Sequence, residues 1–176
     1  MISLVYGAVL VIGAASGSHS LLQPLRGIGA QHLAYNSSES TVVNAHALSF
    51  QQVKGVEGLN AAVQQATQDG KPVMLDFYAR WCVSCKEMES FTFSDDEVQS
   101  SLSNFVLLQS DVTNNDAQDK ALLKELGLFG PPAILFYDSS GSELRNYRVV
   151  GFMDANDFSS HVESFKQSGT FALDDD

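Results

Sequence analysis

With 176 residues, the chain is long enough for one well-packed domain with tails and too short for two large ones. Its 21 acidic residues against 10 basic ones give a formal net charge of −11, which argues against a protein that grips a phosphate backbone and so against a nucleic-acid partner. Two cysteines are too few to reveal a compartment from disulfide density.

Residues 2–15 are uncharged and almost wholly apolar. As a helix they would run about 21 Å, short of the roughly 30 Å hydrocarbon core of a bilayer. A signal peptide fits this length, and Ala14-Ala15-Ser16-Gly17 offers small residues for cleavage, but no Lys or Arg precedes the run. The end of a membrane helix that begins outside this chain is a second reading of residues 1–17. A buried core helix is a third, disfavoured by the lack of a polar face. Residues 18–47 are rich in Gly, Ser, Asn, Ala and His without sustained periodicity and read as a flexible linker.

From residue 48 to about 168 the pattern is that of a compact α/β domain. Leu59, Ala62, Val63 and Ala66 stand at helical spacing within residues 56–68, which end at Gly70. The apolar run 73–79 reads as a buried strand and leads directly into Trp81-Cys82-Val83-Ser84-Cys85-Lys86, where a helix begins and continues to about residue 90. Ser94-Asp95-Asp96-Glu97 reads as a capping box restarting helix. Residues 105–111 form a second inner strand, 115–126 a helix closed by Gly127, and 133–137 a third strand. Asp138-Ser139-Ser140-Gly141 is a turn, and 143–150 its antiparallel return. Asp154 opens a last helix with Phe158, Val162 and Phe165 as its apolar stripe; residues 169–176 read as a solvated acidic tail. The order predicts a mixed central sheet flanked by helices.

The Cys82–Cys85 pair carries the chemistry. Two thiols separated by two residues can close into a small disulfide ring and reopen. Unpaired N–H groups and the dipole of the helix start favour a thiolate on the first of them. A structural zinc site needs about four ligands, and the histidines (His19, His32, His46, His161) are scattered, so no metal is expected. A purely structural disulfide across so short a loop would constrain the unfolded chain little.

The succession of strand, Cys-x-x-Cys at a helix start, and Gly130-Pro131-Pro132-Ala133-Ile134-Leu135-Phe136 before a terminal hairpin resembles the thioredoxin fold. The resemblance makes Pro132 the cis-proline that faces the Cys pair. The longer stretch from Val73 through Glu89, with Thr92-Phe93-Ser94-Asp95, Val112-Thr113-Asn114-Asn115-Asp116 and Val150-Gly151-Phe152-Met153-Asp154, is similar to the C-terminal periplasmic domain of the DsbD family of bacterial thiol:disulfide interchange reductases. The match covers roughly residues 48–167. Ile12-Gly13-Ala14-Ala15 and Leu22-Gln23-Pro24-Leu25 are similar to the end of that family's last transmembrane helix, which favours the membrane-helix reading.

The resemblance implies an electron relay at the bacterial inner membrane, with the thioredoxin-like domain in the periplasm. A membrane domain of the same reductase would reduce this domain. This domain would in turn reduce the reductase's N-terminal periplasmic domain, which serves disulfide isomerases and cytochrome c maturation. No cofactor is expected beyond the cysteine pair itself. An oxidase or isomerase of the same fold, or a non-enzymatic binding module, are the alternatives, because direction follows relative reduction potentials. Cys82 is expected to attack and Cys85 to resolve, with Trp81, Pro131 and Pro132 contacting the partner. Pro131 stands where a residue usually offers its N–H to the partner, and proline has none. Asp76 interrupts an apolar strand, where a carboxylate is unfavourable unless it has a task or partner. In the family this position assists proton transfer beneath the Cys pair. Glu89, four residues after Cys85, matches a second family carboxylate. Together the two acids are expected to disfavour the Cys82 thiolate.

Overall fold

The computed structural model describes residues 48–171. In chain order these form β1 (Gln51–Gln52), α1 (Gly55–Gln68), β2 (Val73–Tyr78), α2 (Val83–Glu87), a π-helical turn (Met88–Thr92), α3 (Asp96–Ser101), β3 (Val106–Asp111), α4 (Ala117–Leu126), β4 (Ala133–Tyr137), a 3-10 turn (Arg145–Tyr147), β5 (Val149–Val150) and α5 (Ala155–Phe171). The strands lie in the order β1-β3-β2-β4-β5. β2 is parallel to β3 and antiparallel to β4; β1 is parallel to β3, and β5 is antiparallel to β4.

β2 is central because nearly all its side chains are buried, and alternation sends them to opposite faces. Val73, Leu75 and Phe77 join Leu59, Ala62 and Ala66 of α1 and Leu122 of α4. Met74 faces the other way, with Met88, Val98, Leu102 and the α5 stripe Phe158, Val162 and Phe165. Phe136 of β4 anchors that second layer, its ring centroid 5.1 Å from Phe165 and 6.3 Å from both Phe105 and Phe158. Burial of one such ring contributes about 1.5–3 kcal/mol.

Local signals explain where the elements stop and start. α4 opens on a capping box in which Asp116 accepts from the N–H groups of Gln118 and Asp119, while Asp119 accepts from the Asp116 N–H. The buried Asp119 carboxylate also meets Lys54, which ties the start of α1 to this cap. α4 ends at Gly127, whose φ of 66° lies in the left-handed region that a side chain disfavours.

Several sequence expectations are corrected. The helix after the motif restarts as expected, but its cap is Asp95, which accepts from the N–H groups of Glu97 and Val98; Ser94 donates instead to Ser90 O. The helix through Lys86 does not run on as α-helix but widens into the π turn, where Phe93 N–H reaches back five residues to Met88 O at 2.8 Å. The expected return strand 143–150 pairs only through an isolated Tyr137–Glu143 bridge and through β5. Between them the 3-10 turn directs Tyr147 onto α5, where its hydroxyl donates to Ser164 O and its ring meets Phe165. β1 is an additional strand. The expected segments 1–17 and 18–47 lie outside the described residues, as does the expected acidic tail from residue 172 on; α5 itself runs to Phe171. Among the described residues no helix is long and apolar enough to cross a membrane.

Candidate active site

Topology sends four loops to one end of the sheet. The chain leaves β2, β3 and β5 there and enters β4 there, as the pairings Phe77–Ala133 and Ala133–Val150 require. That end of a mixed α/β sheet is where helix starts and loop residues converge.

The first of these loops carries the cysteines. Cys82 is the N-cap of α2, with extended backbone (φ −81°, ψ 107°), and its Sγ accepts the Cys85 N–H at 3.1 Å. One turn on, Cys85 closes the ring: the S–S distance is 2.04 Å and the Cα atoms lie 5.3 Å apart. Cys85 is 3 % exposed and its Sγ lies 3.8 Å from Phe77 O; Cys82 is 6 % exposed, so both residues are buried in the oxidised form.

Thr113, from the loop after β3, clasps this turn. Arg80 N–H donates to Thr113 Oγ1 at 2.9 Å, and the Trp81 indole N–H donates to Thr113 O at 3.2 Å. Thr113 in turn donates both its N–H and its hydroxyl to Asp111 Oδ1. The indole is thereby tethered while remaining 61 % exposed. In the loop entering β4, the Pro131–Pro132 peptide is cis, both prolines are half-buried, and Pro132 O accepts the Gly151 N–H at 3.1 Å. Phe129, Val83, Val150 and Phe152 stand exposed on these same segments.

Asp76 lies on β2, on the face of the sheet that also carries Met74. Register places it beside Gln109 of β3, which is beside Gln52 of β1. Gln109 Nε2 donates to Asp76 Oδ2 at 2.9 Å, and Gln52 Nε2 donates to Gln109 Oε1 at 2.8 Å. Burial pushes the Asp76 carboxyl up to about 7; the Gln109 donor pulls it down, and the charge of Glu89 pushes it further up. Glu89, on the π turn, is itself shifted upward by partial burial against the opposing pull of Lys86. Glu89, Gln109 and Gln52 share a cavity of about 360 Å³ with Phe50 and Phe93. Among the described residues no three His, Cys, Asp or Glu side chains gather as metal ligands.

The comparisons agree with this geometry. The family model described as thioredoxin-like matches residues 55–139. The thiol:disulfide interchange protein DsbD of Ralstonia nicotianae is 49 % identical over 152 residues, 86 % of this chain and 24 % of that protein. The Escherichia coli K12 protein of the same name is 52 % identical over 132 residues, 75 % of this chain and 23 % of its own length. The crystal structure of the oxidised Neisseria meningitidis DsbD C-terminal domain superposes with a TM-score of 0.55 at 39 % identity, covering 66 % of this chain and 98 % of that one. The chain belongs to the DsbD family.

It holds the family's thioredoxin-like C-terminal domain with its Cys-x-x-Cys closed as a disulfide, and spans about a quarter of the curated relatives' length. The DsbD-type fold brings Cys82, Cys85, Trp81 and the Pro131–Pro132 peptide to one end of the sheet, and it couples Asp76 electrostatically to Glu89. Sequence reasoning missed Gln109, Gln52 and Thr113. The one available signal was Gln109 itself, a polar residue inside an apolar strand.

Proposed function

We propose that this DsbD-type domain is a dithiol–disulfide relay that takes electrons from a membrane domain and passes them to a partner periplasmic domain. The observation that carries this reading is the Cys82–Cys85 disulfide at the start of α2, which follows directly on the strand that buries Asp76; the cis-proline loop entering β4 at the same end of the sheet supports it. In the reduced domain, the Cys82 thiolate attacks one sulfur of the partner disulfide. That S–S bond breaks, and the released partner thiolate takes up a proton. Cys85 then gives its proton to the Asp76 carboxylate, and its thiolate attacks Cys82 Sγ. The second partner thiolate departs and is protonated. Two electrons have moved to the partner, and Cys82–Cys85 is again a disulfide. The two protons the partner takes up are matched by the one Cys82 lost in forming its thiolate and the one Asp76 returns to solvent.

A carboxyl near neutrality suits Asp76 to both directions of proton transfer. Asp76 and Glu89 also place negative charge near Cys82, which raises its pKa and slows reaction with anything but a docked partner. Docking rests on Trp81, Val83, Phe129 and Phe152, and on the Pro131 carbonyl, because Pro131 has no N–H to offer. A redox titration of the pair tests the direction. A potential more negative than about −180 mV, the value of a disulfide isomerase, supports a donor, whereas one near −120 mV makes the domain an oxidant. Absence of reversible exchange would leave a binding module.

A further inference from the structure

Asp76 is the one acid of the site enclosed in the sheet, and three strands cooperate to hold it. Parallel pairing puts Gln52, Gln109 and Asp76 side by side on β1, β3 and β2, and β4 continues the same row with Ile134. The row is therefore polar on one side of Asp76 and apolar on the other. The polar side is hydrogen-bonded end to end and opens on the cavity shared with Glu89.

We propose that Gln109 is the positioning residue of this site: it grips one oxygen of the Asp76 carboxylate, and its own amide is oriented by Gln52. The reasoning is one of donors and acceptors. A buried carboxylate needs donors, and an amide can turn either its NH2 or its oxygen toward it. Gln52 Nε2 occupies Gln109 Oε1, so the Gln109 NH2 is left for Asp76. Rotating both amides by half a turn reverses the row. A protonated Asp76 then donates to Gln109 Oε1, and Gln109 donates to Gln52 Oε1. The pair satisfies both protonation states without a backbone movement, which is what a group that gains and loses a proton in every cycle requires.

Other groups facing Asp76 do not substitute for Gln109. Glu89 approaches from the π turn with a like charge, and Lys86 of α2 acts on Glu89. Tyr78 shares the strand of Asp76 and ionises only far above neutrality, its own shift being upward; Arg80 and Asp111 act on Tyr78. The thiols of Cys82 and Cys85 join this set only in the reduced protein.

The proposal rests on the relay reading for its purpose, but its test does not. The Asp76 carboxyl is followed by 13C NMR against pH in the oxidised chain, where no thiol titrates, using Asp76→Asn to assign the signal. Gln109→Leu should raise the Asp76 midpoint by about one unit, the scale of one lost hydrogen bond to a charged group. Gln52→Leu, at an exposed position, should raise it by less. In the reduced protein, the acid limb of the rate at which oxidised glutathione closes the Cys pair should move up with the Gln109→Leu midpoint. It should not respond to Gln109→Leu once Asp76 is Asn. A midpoint that stays or falls in Gln109→Leu, or in Gln52→Leu should Gln109→Leu not fold, overturns the assignment and leaves the relay reading intact. Failure of the domain to reduce a partner would leave the carboxyl titration standing.

Discussion

Replacing Asp76 by Asn removes an ionisable group while keeping its shape and an acceptor oxygen for Gln109 Nε2. In the folded chain the carboxyl titrates at about 7 against a reference of 3.8, so the fold binds this proton more tightly than the unfolded chain does. Stability from this group is therefore greatest below the unfolded value, falls as pH rises from about 4 to about 7, and is level above that. The gap of about three units corresponds to about 4 kcal/mol of destabilisation once Asp76 is ionised. The Asn side chain brings an extra NH2 group that needs a partner, offsetting about 1 kcal/mol. Asp76→Asn should therefore stabilise the oxidised protein by about 3 kcal/mol near pH 8 and leave it slightly less stable than the parent near pH 4, where only the cost of the extra NH2 group remains. Urea unfolding of both proteins across this range gives the difference directly, and the closed disulfide keeps cysteine ionisation out of it. A difference independent of pH, or a variant less stable than the parent in mild alkali, would refute the idea that a strained carboxylate is maintained here.

Three further outcomes follow from the site. Cys85→Ala should trap a mixed disulfide with a partner through Cys82, and Cys82→Ala should not; mass spectrometry of the adduct reads this, and a crosslink through Cys85 reverses the roles. In the reduced protein, Asp76→Asn and Glu89→Gln should each lower the Cys82 midpoint measured by thiolate absorbance, with a non-additive double variant. A parent midpoint well below neutrality would sink that account. Thr113→Val deletes the acceptor for Arg80 N–H and should destabilise by about 1 kcal/mol in urea, while lowering the fluorescence anisotropy of Trp81, the only tryptophan.

Much of this was legible because strong signals are local. The β2 run is apolar, bounded and followed at once by the cysteines, so both the strand and the reactive pair could be placed. Asp76 stood out as a lone charge within it. Non-local features were not legible. β1 consists of two exposed glutamines, which carry no hydrophobic pattern. The π turn contains neither proline nor glycine, and its geometry follows from tertiary anchors: Thr92 Oγ1 donates to Met153 O at 2.6 Å, and Met153 N–H meets Met88 Sδ at 3.3 Å. The return strand is interrupted where a 3-10 turn sets Tyr147 against Ser164, His161 and Phe165 of α5, contacts between residues far apart in sequence that no local pattern announces. Gln109 looked like an ordinary polar interruption until register set it beside Asp76.

The shortness of β1 has a thermodynamic corollary. A two-residue edge strand is among the first parts of a sheet to open, and Gln52 leaves with it. Fraying of that rim and protonation of Asp76 are then linked equilibria, and linkage is reciprocal. Any contact that clamps the rim favours the ionised acid, and ionising the acid slows the rim's opening. Amide hydrogen exchange at Val53, whose N–H donates to Gln109 O, is a vantage point from which the charge state of the redox centre can be followed without touching a cysteine.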